Sequence, residues 1–234
     1  MLDNKKANQM IVITGASKGL GTAIAERLLD SGKSVVGLAR DTSGLSFRGI
    51  DCDVSDSAAV KAAAREIKRS GEPLEALINA AGVASMNMTV TTNAETVQNL
   101  INVNLAGTIY CCQYFAPLMI RQRSGVIVNF STIAVALGLK GEAIYAASKA
   151  GVEGFSRAFA REMADFGVRV NCIAPGPIRT DLLRGVSDAQ IDKIVEQQII
   201  RARFEKSDVC DLVDVLLSSK ARSLSGQVLH VGGV

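Results

Sequence analysis

Met10-Ile11-Val12-Ile13-Thr14-Gly15-Ala16-Ser17-Lys18-Gly19-Leu20-Gly21 is the stretch on which the fold turns. It opens with a short β-rich run bounded by glycine, which reads as a buried strand. Residues 22–30 carry helical apolar spacing, and Gly32 closes that helix. Between the two, Gly15, Gly19 and Gly21 allow positive φ and a close approach of backbone to a ligand. The helix start behind them presents free N–H groups and a partial positive charge, which suit a pyrophosphate. A tight strand-to-helix turn would use the same glycines, and the spacing is not the common G-x-G-x-x-G, so both readings stay open at this point.

Outward from this unit the pattern repeats. Strand-like runs recur at Ser34–Ala39, 48–52, Leu74–Asn79, Gly125–Phe130, 168–173 and 227–231. Helix-like runs separate them at 57–69, capped by Ser55 or Asp56, at 95–121, with a bend expected near Pro117, and at Ala143–Ala164, 188–199 and 208–218. Strands alternating with longer helices indicate an α/β fold, a parallel sheet covered by helices on both faces. No linker, repeat or low-complexity block interrupts the chain, so a polar tail over 1–9 and one domain over 10–234 are expected.

Composition narrows the function. Apolar residues make up 48% of the 234, enough for a large core, and the net charge is only +3. The basic residues are scattered, so nucleic acid is not an expected partner. Cys52, Cys111, Cys112, Cys172 and Cys210 have no paired spacing and read as reduced thiols of a cytoplasmic protein. His230 is the only histidine, which leaves little for a His-based triad or a metal site, and no metal is expected. The longest apolar stretch, 126–139, is broken by Asn129, Ser131 and Thr132 and falls short of the ~20 residues of a membrane span. No membrane association is expected, and the apolar run at Met10 is too short for a signal-peptide core.

Tyr145-Ala146-Ala147-Ser148-Lys149 carries the chemistry. The spacing of four puts phenol and ammonium on one face of an Ala-rich helix. A phenol titrates near ~10, too high for proton transfer at neutral pH, and an adjacent ammonium should lower it. The pair can then serve as proton donor and acceptor. An exposed helical pair of no function would look the same taken alone.

Thr14-Gly-x-x-x-Gly-x-Gly21, Asn79-Ala80-Ala81-Gly82, Asn104, Tyr145-x-x-x-Lys149 and Pro175-Gly176 stand in the order found in the short-chain dehydrogenase/reductases, and the chain resembles that family from Ile11 to Gly233. It looks most like the 3-oxoacyl-[acyl-carrier-protein] reductases, through residues 145–154, Pro175-Gly-Pro-Ile-Arg-Thr180 and Ser225-Gly-Gln227. The resemblance implies a Rossmann-type, doubly wound parallel sheet of seven strands in the order 3-2-1-4-5-6-7, with a nicotinamide cofactor across their carboxyl ends. It implies cofactor contacts from Gly15, Ser17, Lys18, Gly19, Leu20 and Gly21, from Asp53 and Val54 beside the adenine, and from Asn79, Ala80, Ala81 and Gly82 near the adenine ribose. Pro175, Gly176, Ile178 and Thr180 would hold the carboxamide, and residues 180–204 would form the lid over the substrate.

The same resemblance implies that Tyr145 donates the proton and that Lys149 lowers its pKa and binds the nicotinamide ribose. Asn104 would hold a water linking Lys149 to solvent. Thr132 stands where the family usually has serine and would polarise the carbonyl. Ser131 is its neighbour, and since strand side chains alternate faces, the two hydroxyls should point apart.

Where NAD enzymes carry an acid, ~20 residues past the glycine loop, this chain has Ala39 and then Arg40. Arg40 and Lys18 suit a 2′-phosphate, so NADP(H) is expected, with Asp41 pointing away. The expected function is NADPH-dependent reduction of a ketone to a secondary alcohol. The ketone would be a 3-oxoacyl thioester on an acyl-carrier protein; a coenzyme A thioester, a small ketone or a non-enzymatic NADP-binding scaffold are the alternatives. By resemblance, Arg121 and Arg123 would dock the acidic carrier beside the active-site mouth, while Phe166 fills a second docking position that is often basic. Tyr110, Phe115, Met119, Phe155, Phe159 and Met163 exceed one buried stripe on their helices, so a homotetramer or dimer is expected.

Overall fold

The structure, a computed structural model, describes residues 9–234; the rest of the expected polar tail lies outside the described residues. Seven strands form one sheet: β1 (Met10–Thr14), β2 (Ser34–Ala39), β3 (Gly49–Asp51), β4 (Leu74–Asn79), β5 (Gly125–Phe130), β6 (Val168–Ala174) and β7 (Val228–His230). Their order is β3-β2-β1-β4-β5-β6-β7, and every neighbouring pair is parallel. All residues of β1 and β5 are buried, which is why both read as unbroken apolar runs and not as alternation.

Two cores account for this burial. Val12, Leu77 and Ile127 point to one face, into a cluster with Val60, Cys112, Phe115 and Phe159. These last come from α2 (Ser57–Ser70), α4 (Gly107–Gln122) and α6 (Ala143–Ala164). Ile11, Ile13, Ile78 and Val128 point to the other face, onto α1 (Gly19–Asp30) and α8 (Lys206–Leu217). The strand order reverses between β1 and β4, and such a switch point opens a crevice at the carboxyl ends of the strands.

Several expected elements differ in detail. The helix expected over 95–121 is three pieces: α3 (Ala94–Ile101), a π-helical turn over Asn102–Ala106, and α4. Its irregularity lies at this wide turn and not at Pro117, which α4 accommodates in its interior. Asn104 sits in the turn, fully buried, so it does not face solvent. The helix expected over 188–199 is α7 (Asp188–Val195), begun by a Ser187–Gln190 capping box. It stops early because the next residues pair with the chain end: Ile200 N–H donates to Gly232 O (2.8 Å). A short helix, α5 (Ala134–Leu137), interrupts the loop expected after β5. The third strand shrinks to three residues paired with β2 at the sheet edge.

Ala94–Gln122 is long and apolar enough to cross a membrane by length and composition. Here Cys111, Cys112, Phe115 and Met119 from that run fill the core. Phe159 and Met163 join them, so most of the apolar excess that suggested a second copy is used within the chain; Tyr110 and Phe155 stay half-buried. All five cysteines are buried and unpaired.

Candidate active site

The carboxyl ends of the strands surround a cavity of about 540 Å³, within the usual range of ligand sites. Its nucleotide half is built by β1 and the loop after it. Thr14 Oγ1 accepts a hydrogen bond from Ala81 N–H (3.0 Å), tying this loop to the Asn79–Gly82 turn. Gly15 has φ +68°, and a Cβ there would lie 2.7 Å from Ala81 Cα, so the two backbones meet closely. No side chain caps the start of α1 and no acid sits in its first turn. Its free N–H groups therefore face the cavity with their positive end uncompensated.

Every residue expected to hold the cofactor lines this cavity except Gly21 and Asn79. Gly21 instead packs under the loop, against the Gly15 carbonyl. Asn79 lies behind the wall, buried, with its Nδ2 donating to Asn129 Oδ1 (2.8 Å). Asp53 is held by Ser55, whose N–H (2.9 Å) and hydroxyl (2.7 Å) both donate to Oδ1. Those hydrogen bonds, with Arg40 nearby, keep its carboxylate pKa low. Lys18 and Arg40 both line the cavity and are exposed. Asp41 does not line it; its carboxylate accepts Ser43 N–H (2.9 Å) in its own turn. A glycine cradle, an uncapped helix start and two cations fit a dinucleotide that carries an extra phosphate.

The other half is built by the end of β5 and the start of α6. Lys149 is buried, and its Nζ donates to Phe130 O (2.9 Å). Ser131 and Thr132 both line the cavity, but their hydroxyls have different partners. Ser131 Oγ donates to the buried Glu153 (2.7 Å), whose other oxygen accepts from Arg157 (3.1 Å). Thr132 lies beside the Tyr145 phenol and opposes the rise of its pKa. Thr132 Oγ1 accepts Ala134 N–H (3.2 Å), which leaves the hydroxyl proton free to donate.

One expectation needs correction here. In the chain by itself the Tyr145 phenol is not brought down toward neutrality. Loss of water pushes the phenol up to about 12, with Glu142 adding to the rise. The same cause brings Lys149 down to about 8. The Asn104 side chain is tied into this wall. Oδ1 accepts Val83 N–H (2.9 Å), while Nδ2 donates to Val83 O (2.9 Å) and Ser148 Oγ (3.0 Å). Ser148 in turn donates to Tyr145 O (2.7 Å), so Asn104 joins the Gly82 turn to α6.

Arg121 and Arg123 do not lie beside the cavity. They precede β5, and the cavity lies past its other end. A strand advances ~3.3 Å per residue, so the six residues of β5 put roughly 20 Å between them. Arg123 donates to Asp165 O (2.8 Å) at that far edge. Cavity residues absent from the sequence reading include Glu142, Leu139 and Met86. Glu142 had one legible signal: it stands three residues before Tyr145, at the start of the same helix.

A family model described as short chain dehydrogenase matches residues 9–191. The 3-oxoacyl-[acyl-carrier-protein] reductase FabG of Staphylococcus aureus is 36% identical, over 97% of this chain and 98% of that protein. Among solved structures, ligand-free aldohexose dehydrogenase of Thermoplasma acidophilum superposes with a TM-score of 0.87 at 30% identity, covering 97% of this chain and 93% of that one. ElxO with NADP bound gives 0.86 at 27% identity, covering 96% of this chain and 97% of that one.

Proposed function

The chain belongs to the short-chain dehydrogenase family, and from that premise we propose that it reduces a 3-oxoacyl thioester to the 3-hydroxyacyl thioester with NADPH. The meeting of Tyr145, Thr132 and Lys149 in one wall of the cavity, opposite the uncapped start of α1, carries the reading. When bound, the reduced nicotinamide supplies the hydride. The backbone of the glycine loop and the α1 start hold the pyrophosphate, and Pro175, Gly176, Ile178 and Thr180 orient the nicotinamide end. Thr132 donates a hydrogen bond from its hydroxyl to the carbonyl oxygen, keeping its own proton and drawing negative charge toward that atom. Tyr145, still protonated at neutral pH, gives its proton to the forming alkoxide. Lys149, cationic and close to its point of proton loss, steadies the phenolate left behind.

The thioester rests on the FabG relatives and on an apolar rim, where Met86 and Leu182 are 40% and 45% exposed and line the cavity. An acyl-carrier protein as the thioester's bearer rests on those relatives alone, since Arg121 and Arg123 stand at the far edge. A dimer or tetramer belongs to the same reading, and light scattering decides it. The function is tested by following reduced-nicotinamide absorbance with 3-oxoacyl thioesters on carrier protein and on coenzyme A, and with small ketones. Tight NADPH binding without turnover of any of them would leave only a nucleotide-binding scaffold.

Cofactor choice is expected to follow Arg40. Removing a charge-assisted bond costs ~1.5–3 kcal/mol, so Arg40→Ala should lower kcat/KM for NADPH roughly 10- to 100-fold. Its kcat/KM for NADH should change little. Equal loss with both nucleotides, or none with either, would take the 2′-phosphate away from Arg40. A second expectation separates the two hydroxyls. Thr132→Val should cost about 100-fold in kcat, whereas Ser131→Ala, whose hydroxyl is spent on Glu153, should keep most of it. The opposite ranking would hand the carbonyl to Ser131.

A further inference from the structure

Glu142 is a titratable group of the cavity wall, beside the reacting residues, that the ketone chemistry leaves unused. It is only 8% exposed, stands directly before α6, and lines the same cavity as Tyr145 and Thr132. Its side chain does not cap the helix it precedes. Among the described residues, no ion pair reaches it. The cations that line the cavity are placed elsewhere. Lys149 donates to Phe130 O, Arg184 pairs with Asp181, and Lys18 and Arg40 stand at the nucleotide end. Glu142 lies close enough to Tyr145 to raise the phenol's pKa, so it sits on the reacting side. Loss of water raises its own pKa, and no charge of the chain offsets that. Its carboxylate has no side-chain partner among the described residues and opens onto the cavity, so its acceptor capacity is available to a bound molecule.

We propose that Glu142 is a substrate-binding residue, whose carboxylate accepts a hydrogen bond from a hydroxyl or amide N–H carried on the substrate a few bonds from the reacting carbonyl. The inference rests on the reductase reading above and narrows it: the substrate is a ketone with a polar donor arm, not a plain hydrocarbon ketone. Two kinds of arm supply such a donor, the amide of a thioester's pantetheine-like tail and the hydroxyls of a polyhydroxylated ketone. The apolar rim at Met86 and Leu182 takes the remainder of the molecule.

Matched ketone pairs test this. One pair is a 3-oxoacyl thioester of N-acetylcysteamine, which has an amide N–H, against the same acyl group on a plain alkanethiol. The other is a hydroxylated ketone against its deoxygenated counterpart. Wild-type kcat/KM should favour the donor-bearing member of one pair by roughly 10- to 100-fold, the range of a hydrogen bond to a charged group. Glu142→Leu should bring that ratio close to one, and Glu142→Gln, which still offers an acceptor oxygen, should fall between. The pair that loses its ratio identifies the arm. Calorimetric binding of the donor-bearing alcohol product should weaken in the same order without any turnover, and NADPH affinity reports that the variant is folded. Should Glu142→Leu fail to bind NADPH, the ratio of Glu142→Gln decides. Wild-type ratios retained in the variants, or both members of each pair falling together, overturn the role of Glu142 alone. If the wild type reduces neither member of either pair, the reductase reading fails and this inference falls with it.

Discussion

Tyr145→Phe is expected to lower kcat for ketone reduction by roughly 10²–10⁴-fold, the contribution of a positioned general acid, while NADPH still binds. Phenylalanine keeps the ring and its packing and removes only the atom that holds the proton. The phenol retains that proton up to about 12, so ionisation of Tyr145 cannot set the pH limit of the reduction. Lys149 can. Burial holds its pKa at about 8, and only its charged form stabilises the phenolate that proton donation creates. The charged form is present below that value and is lost above it. Reduction by the wild type should therefore fall as the pH rises through about 8, well below the ~10.4 of a free lysine. Rates measured across that window, together with NADPH affinity of the variant by fluorescence titration, check both statements. A Tyr145→Phe enzyme with wild-type kcat would end the proposed role of the phenol. A pH profile flat to ~10 would remove Lys149 from it.

Gly21→Ala should abolish nucleotide binding or unfold the chain, although Gly21 does not line the cavity. A Cβ at this position would lie 2.2 Å from the Gly15 carbonyl oxygen and 2.7 Å from its carbon. Both are backbone atoms of the loop, so no side chain can swing away to make room. Either α1 shifts away from β1, or the loop that faces the pyrophosphate is rebuilt. Overpacking against backbone belongs with the largest single-site losses, on the order of 4 kcal/mol or more. Gly154→Ala is the contrast: it lies within α6, and a Cβ there meets nothing within 4 Å. That change should leave NADPH binding alone and stabilise the helix by about 0.5–1 kcal/mol. Thermal melting with and without NADPH compares the two. Normal NADPH affinity in Gly21→Ala would show that the loop tolerates rebuilding and that its close packing is not what shapes the site.

The sequence by itself determined the order of the elements, the parallel sheet and most of the cofactor half. These depend on residues close together in the chain. A strand buried on both faces shows as an apolar run, and α6 keeps its expected limits because its alanine-rich spacing is local. The Tyr145–Lys149 pair is legible for the same reason: four residues on one helix share a face whatever surrounds them. The different settings of the Ser131 and Thr132 hydroxyls were expected from strand alternation, yet both residues lie just past the end of β5, so the loop places them. Other features required the folded chain. The π turn accompanies Asn104 reaching Val83 across 21 positions, a contact no local pattern announces. Arg121 and Arg123 are near β5 in sequence yet at the wrong end of it, because a strand carries the chain across the whole sheet. From spacing alone, the proton affinity of Tyr145 reads as lowered by Lys149. Enclosure decided the affinities of both groups instead, since loss of water acts through every neighbour at once, including Glu142 at the mouth of the same helix.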